Sequence, residues 1–241
     1  MKKTSVLFHV AVGVTFLVCG CTGPKQFADK DKFLAYSRDV GNRRIEWRQV
    51  LDLDFASIAS LNDFRLVRGK WRIDAKCLWA YGDEPDKNTF KGELNRAILL
   101  ARDEEGPLRI EMEVTNYAGT DGSIGDITLL INTDDSNSFF ENGYALTTAS
   151  YYNTCSTFYR LGNPIAKTEY SPVVSGTKYR VVLEMDNGHI RYWLNDTIIL
   201  EAWDPEPLKV GPNRWLGVRT WNTLMAIRRF TVFRYAAPPQ N

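Results

Sequence analysis

The sequence predicts an all-β protein, a two-sheet antiparallel sandwich. Three observations carry that prediction. The first is Thr177 to Asp204, which reads as three short strands joined by two tight turns. Tyr179, Val181, Leu183 and Met185 alternate with Arg180, Val182 and Glu184, the period of a half-buried strand. Asp186-Asn187-Gly188 and Asn195-Asp196 supply turn residues that tolerate positive φ. Ile190, Tyr192 and Leu194, then Ile198, Leu200 and Ala202, continue the apolar face until Asp204-Pro205-Glu206-Pro207 stops it. The second observation is Leu108 to Thr115. There Leu108, Ile110, Met112 and Val114 alternate without a fault with Arg109, Glu111, Glu113 and Thr115, so one face is buried and the other wet. The third is that helical periodicity is nearly absent, while roughly a dozen short strands with turn signals between them fill the chain.

Taken in order, Met1-Lys2-Lys3 is a basic head and Val6 to Val18 an apolar run too short to span a bilayer. That is the layout of a signal peptide over residues 1–20. Its exit, Leu17-Val18-Cys19-Gly20-Cys21, resembles the bacterial lipobox, which implies diacylation of Cys21 and a membrane attachment through lipid. Thr22 after that cysteine favours, by the same resemblance, the outer membrane. Residues 21–50 are polar and poorly periodic, a tether and N-terminal extension in which Phe33-Leu34-Ala35-Tyr36 could start one short helix. Residues 51–236 form the sandwich and 237–241 a tail.

Within the domain, Asp52 to Phe55 reads as an edge strand. Trp71, Ile73, Ala75, Cys77 and Trp79 fall on one parity after the Gly69-Lys70 turn. Leu94–Arg102, Ile127–Asn132, Tyr144–Tyr152, Ser156–Leu161 and Trp215–Thr220 read as strands. In the last strand Met225 and Ile227 share one parity and Phe230 and Val232 the other, so a β-bulge is expected at Arg228-Arg229.

Composition narrows the function classes. With 30 Lys and Arg against 29 Asp and Glu, interspersed along the chain, there is no basic stripe for a nucleic acid. His189 is the one histidine after the leader, beside a hairpin turn, where solvation is the simplest expectation. Triad catalysis and multi-histidine zinc sites are therefore disfavoured. No glycine-rich phosphate loop runs from a strand into a helix. Asp103-Glu104-Glu105 reads as a solvated loop. If Cys21 is acylated and Cys19 leaves with the leader, Cys77 and Cys155 remain. In an exported protein they are either a disulfide or two buried thiols.

Several features together resemble the concanavalin A-like lectin/glucanase jelly roll in its laminin-G-like form. They are Gly69-Lys70-Trp71-Arg72-Ile73, then Gly143-Tyr144 leading to Asn153, Arg160 and Gly162. Lys178-Tyr179 with Asn195-Asp196, and Leu216-Gly217-Val218 with Phe230-Thr231-Val232-Phe233-Arg234, complete the set. The resemblance covers about Leu51 to Tyr235 and extends to 3-keto-disaccharide hydrolases, although Ala145-Leu146 stands where their Gly-x-Glu often occurs. It implies a saccharide ligand on a concave sheet, and many relatives carry calcium at the rim. The three-acid strand of the glucanases has no counterpart, Glu184-Met185-Asp186 being the nearest approach.

Two acidic loops, Asp121–Asp126 and Asn132–Asn137, offer oxygen ligands. Asp134 and Asp135 are the candidates for calcium, and plain turn formation is the alternative. For a glycan or oligosaccharide, the candidates are Tyr151, Tyr152, Asn153, Arg160 and Trp221, rings to stack on pyranose faces and polar groups for hydroxyls. As neighbours in a strand, Tyr151 and Tyr152 would point to opposite faces, so one of them at most serves the site. The expectation is a lipid-anchored, lectin-like, non-catalytic domain. A glycoside-cleaving enzyme and an envelope assembly protein are the alternatives.

Overall fold

The computed structural model describes residues 47–81, 95–118, 122, 124–136, 142–169, 173–221 and 223–235. The leader, Cys21, the tether with its Phe33–Tyr36 segment, Asp121 and the tail lie outside them.

Among the described residues, fifteen strands form two antiparallel sheets. The first contains β1 (Trp47–Asp54), β3 (Lys70–Asp74), β4 (Cys77–Tyr81), β6 (Leu108–Tyr117), β11 (Lys178–Asp186), β12 (His189–Leu194), β13 (Thr197–Trp203) and β15 (Leu224–Tyr235). Its order is β13-β12-β11-β6-β15-β4-β3, with β1 on β15. The second contains β2 (Arg65–Arg68), β5 (Asn95–Arg102), β7 (Ile127–Thr133), β8 (Tyr144–Ala149), β9 (Cys155–Arg160), β10 (Asn163–Thr168) and β14 (Trp215–Trp221), in the order β10-β9-β8-β7-β14-β5-β2. One helical turn, α1 (Ser150–Asn153), joins β8 to β9.

Alternation dictates the layers. In β6 the residues Leu108, Ile110, Met112 and Val114 are buried while their neighbours are half-exposed. Together with Val181, Leu183, Ile190, Tyr192, Leu200, Phe230 and Val232 they face Ile98, Ile127, Leu129, Ile131, Tyr144, Leu146, Phe158 and Val218 of the other sheet. Burying each such side chain stabilises the fold by roughly 1.5–3 kcal/mol. Two tyrosine hydroxyls in this core are satisfied across the gap. Tyr192 Oη lies 2.6 Å from Thr148 Oγ1, and Tyr144 Oη donates to Asp204 Oδ2 at 2.6 Å. The expected bulge in β15 is present as a register shift between Ile227 and Arg229.

Several expectations are corrected. The segment Trp71–Trp79 is a hairpin rather than one strand: Ala75 and Lys76 have φ 46° and 65°, the two positive values a type I′ turn requires. Leu161-Gly162 makes the same turn between β9 and β10, at φ 47° and 80°. β1 spans Trp47–Asp54 where an edge strand over Asp52 to Phe55 was expected, because Trp47 already pairs with Tyr235. Cys77 and Cys155 are free thiols: β4 and β9 belong to different sheets and lie toward opposite sides of them, beyond reach of a bridge. His189 is buried, with Nε2 2.9 Å from Glu201 Oε1. Asp103 is likewise buried and ion-paired to Arg234; it does not belong to a solvated loop.

The outward face of the eight-stranded sheet is an ion-pair ladder. Register sets Glu201, Arg191, Glu184 and Arg109 side by side across four strands. Glu184 accepts from Arg109 and lies 3.4 Å from Arg191, and Glu111 takes Arg109 Nε at 2.8 Å and Arg180 at 2.8 Å. Lys178 pairs with Glu113 at 2.9 Å, and Arg229 grips Asp52 with two nitrogens.

Candidate functional site on the outward face of the seven-stranded sheet

The other outward face is built differently. Strand pairing lines up Ala97, Arg219, Thr128, Thr147, Thr157 and Lys167 in one row across six strands. The adjacent row runs Leu99, Gly217, Leu130, Ala145 and Tyr159. The centre of the face mixes threonine, Ala145 and Gly217 with Leu130 and Arg219, and it is buried: Thr128, Thr147, Thr157, Leu130 and Ala145 are each at most 1% exposed. Gly217 is there because nothing larger fits: an added Cβ would stand 2.6 Å from the Ile98 carbonyl oxygen and 2.8 Å from Leu99 Cδ2.

One charged pair sits within the row. Arg219 Nη1 donates to Asp126 Oδ2 at 2.9 Å, and both residues are less than a tenth exposed. Thr128 Oγ1 donates to the same oxygen at 2.9 Å, while Asp126 Oδ1 is buried with no hydrogen-bond partner. Burial pushes the Asp126 carboxyl above its ordinary range, against the pull of Arg219. The other carboxylates of this face lie at its margins and are paired, Asp135 with Arg65 at 2.7 Å and Glu169 with Lys167 at 2.9 Å.

Aromatic residues mark both ends. Trp215 carries the Arg102 guanidinium 4.2 Å above its ring, a cation–π contact. At the other end, Trp221 shares the outward parity of Arg219. Tyr151 stands 65% exposed on α1. Burial, then its hydrogen bond to Tyr151, pushes the Tyr159 hydroxyl up to about 12.

The sequence-nominated residues do not all meet. β8 ends at Ala149, whose φ of 62° turns the chain into α1, so Tyr151 and Tyr152 occupy a helical turn and not a strand. The Tyr152 side chain lies outside what the structure describes. Asn153, at φ 63°, donates Nδ2 to the Val173 carbonyl at 2.6 Å and so anchors a neighbouring loop. Tyr151, Asn153 and Trp221 lie at one end of the sheet, as the pairing of Thr220 with Ile127 and of Ile127 with Thr148 requires.

Arg160 is at the other end of β9, five residues from Cys155, or ~17 Å at strand rise. It pairs with Tyr144 and so faces the inter-sheet side. Its Nε donates to the buried Asp204 at 2.9 Å and its Nη2 to the Glu206 carbonyl at 2.8 Å. Arg160 therefore ties β9 to the loop after β13 and does not join Trp221.

The calcium candidates diverge as well. Asp134 Oδ1 accepts from Ser136 N at 2.9 Å and Asn142 Nδ2 at 2.8 Å, the bonds of a turn, and Asp135 turns to Arg65. The two carboxylates do not converge on the six or more oxygens that calcium takes. Among the described residues no group of three His, Cys, Asp or Glu is placed to hold a metal ion.

What sequence reasoning missed is the threonine row and the Arg219–Asp126 pair. Asp126 was visible as an acidic loop residue, but its partner is 93 positions away.

No protein-family model matches the sequence, and no curated protein matches it either. Solved structures do match. The fold is that of lectin-like sandwiches. A Bacillus subtilis protein of unknown function with a galectin-like fold superposes with a TM-score of 0.61 at 14% identity, over 80% of this chain and all of the other. The carbohydrate-binding module CBM66 from Bacillus subtilis gives 0.52 at 18%, over 69% and 92%. The exoplasmic/lumenal domain of VIP36, in its Ca2+/Man3GlcNAc-bound form, gives 0.59 at 8%, over 80% and 92%.

Proposed function

We propose that this is an exported, lipid-anchored envelope protein whose sandwich binds a glycan at the Tyr151–Trp221 end of the seven-stranded sheet and does not cleave it. The observation that carries the reading is the pair of rings at one end of this sheet, Tyr151 exposed on α1 and Trp221 on β14, beside the buried row of Thr128, Thr147 and Thr157. Tyr151 supplies an exposed ring for a sugar face. Support also comes from the similar solved structures, one of them a carbohydrate-binding module and another bound to Man3GlcNAc. The absence of turnover rests on the carboxylates: Asp126 is buried against Arg219, and its marginal companions are ion-paired. Glycoside hydrolysis uses two carboxyls about 5–9.5 Å apart across the sugar.

The test is a glycan array followed by calorimetry on the best ligand. Tyr151→Ala and Trp221→Ala should each weaken binding about five- to tenfold, the worth of one aromatic contact of ~1–1.5 kcal/mol. Tyr151→Ala should leave the melting temperature unchanged, because its ring is exposed. Arg160→Ala should lower stability by about 1–3 kcal/mol, since it strips a bond from buried Asp204, and leave glycan affinity intact. Reducing sugar released from the ligand would replace this reading with a glycosidase. A stable protein partner with no glycan affinity would replace it with an assembly role. For the anchor, Cys21→Ser should abolish incorporation of labelled palmitate, and equal labelling would refute it.

A further inference from the structure

At the Arg160 end of the sandwich, away from the threonine row, a cleft of about 280 Å³ opens between the loops that follow β5 and β13 and the β11–β12 turn. Leu108 and Ile131 line it and are buried, whereas Met185, Leu208 and Val210 line it and are only partly buried. An apolar lining that the core covers incompletely gains from a further apolar group. Strand register places the entry of the chain beside this cleft. Arg48 of β1 pairs with Arg234, Arg234 with Leu108 and Leu108 with Met185, one row across four strands. Of that row, Arg234, Leu108 and Met185 all line the cleft. Neighbouring strands lie ~4.8 Å apart, so Arg48 is ~10 Å from Leu108. Trp47, which opens β1, pairs with Tyr235 at the same end.

The sequence ahead of Trp47 supplies what such a cleft takes. Phe33-Leu34-Ala35-Tyr36 is the longest apolar run between Cys21 and Trp47. The ten residues between Tyr36 and Trp47 reach ~35 Å when extended, well beyond what the cleft requires. Charge agrees with the match. From Lys32 to Trp47 the chain carries Lys32, Arg38, Arg43 and Arg44 against Asp39 and Glu46. The cleft lining carries Glu104, Glu105 and Asp186 against Lys209, with Asp103 and Arg234 paired to each other. We propose that this cleft receives the chain's own Phe33-Leu34-Ala35-Tyr36 segment, its rings against Met185 and Leu208. Because the segment is tethered to β1, its effective concentration at the cleft is on the order of millimolar, so even a weak contact is occupied. In the lipid-anchored reading, docking leaves residues 21–32 as the free tether, ~40 Å at full extension against ~90 Å for residues 21–46. The docking itself depends neither on that reading nor on the glycan site.

The experiment labels the methionine methyl groups of the full chain with carbon-13 and records nuclear Overhauser contacts by NMR. The Met185 methyl should show intramolecular contacts to the ring protons of Phe33 or Tyr36. Amide-exchange protection over residues 33–36 should be about tenfold higher than in the doubly substituted Phe33→Ser, Tyr36→Ser protein. That variant should shift the Met185 methyl and leave those of Met112 and Met225, which are buried in the core, in place. The same spectrum therefore reports that the fold is kept. Lys32→Glu, Arg38→Glu retains both rings and should lower the protection about threefold, as solvent-screened charges imply. A Met185 methyl that shows no contact to either ring and ignores their substitution overturns the proposal. Contacts found only between differently labelled copies in a mixed sample overturn it as well, and give the cleft to a second chain.

Discussion

The outward face of the eight-stranded sheet carries a ladder of long charged side chains bonded to one another; the corresponding face of the seven-stranded sheet is buried at its centre, where threonines, Ala145 and Gly217 stand among Leu99, Leu130 and Arg219. On the first, Arg109 and Arg180 spend their donors on Glu111, Glu184 and Asp196. Such a surface is soluble and guards the sheet, but it offers a ligand little, because every contact must displace an existing pair. On the second, one ion pair, Arg219–Asp126, is sunk among threonines and alanines, and Asp126 Oδ1 remains without a partner. Two faces of one sandwich, made by the same alternation, thus differ in side-chain length and in how completely their polar groups are paired. A face whose polar groups are already matched is a finished surface. The other is buried and keeps one acceptor, Asp126 Oδ1, unmatched.

The contrast can be broken most sharply at Arg219. Arg219→Ala leaves a carboxylate buried without its cation and should cost about 3–5 kcal/mol in urea unfolding. The double variant Arg219→Met, Asp126→Leu should recover most of that loss. A single-variant loss below ~1 kcal/mol would mean the pair is as exposed as those of the opposite face.

Next in size is Gly217→Ala. The added methyl meets backbone of β5, and the strain should lower stability by about 1–3 kcal/mol. Unchanged stability would show that the floor can yield.

On the ladder, Arg191→Ala should change stability by about 1 kcal/mol or less, since Glu184 keeps Arg109 and water is near. A larger loss would mean that the ladder holds strands together in its own right.

The smallest signal is in the titration, where the two faces should separate by sign. Burial raises Asp126, while hydrogen bonds from arginines lower Glu111 and Asp52 despite the desolvation that opposes them. On acidification Asp126 should therefore take its proton first, above its ordinary value of 3.8. Because its folded value is raised, its contribution to stability improves as the pH falls from that value toward the unfolded one. Glu111 and Asp52 behave oppositely. Their stabilisation is present above their unfolded values and is lost as the pH falls through their lowered folded values. Carboxyl chemical shifts followed between pH 7 and 2 check the order. Asp52 or Glu111 protonating before Asp126 would reverse it.

Much of the scaffold was legible because strand periodicity is a local property. The alternation in β6 and the β11-β12-β13 meander each lie within a few consecutive residues, and so does the parity slip at Arg228-Arg229. The turns were read only where their residues advertise positive φ. Asn187-Gly188 and Asn195-Asp196 did so; Ala75-Lys76, and Leu161 ahead of Gly162, adopt the same turn with residue types that do not advertise positive φ, held there by the pairing of their strands. The break at Ala149 was hidden for the same reason, and with it the placement of Tyr151.

The site was legible in pieces. Tyr151 and Trp221 were nominated for their chemistry and do lie toward one end of the same sheet, whereas Arg160, nominated on equal grounds, faces inward at the other end. Thr128, Thr147 and Thr157 are unremarkable in the chain and become a row only because β7, β8 and β9 pair in one particular register. Residue type and spacing settle which residues of a strand share a side. Which of them become neighbours depends on register and strand order, which are set by contacts between residues far apart in the chain. The free Cys77 and Cys155 follow from that rule too: both are strand residues of one domain, and the sheet order alone keeps them apart.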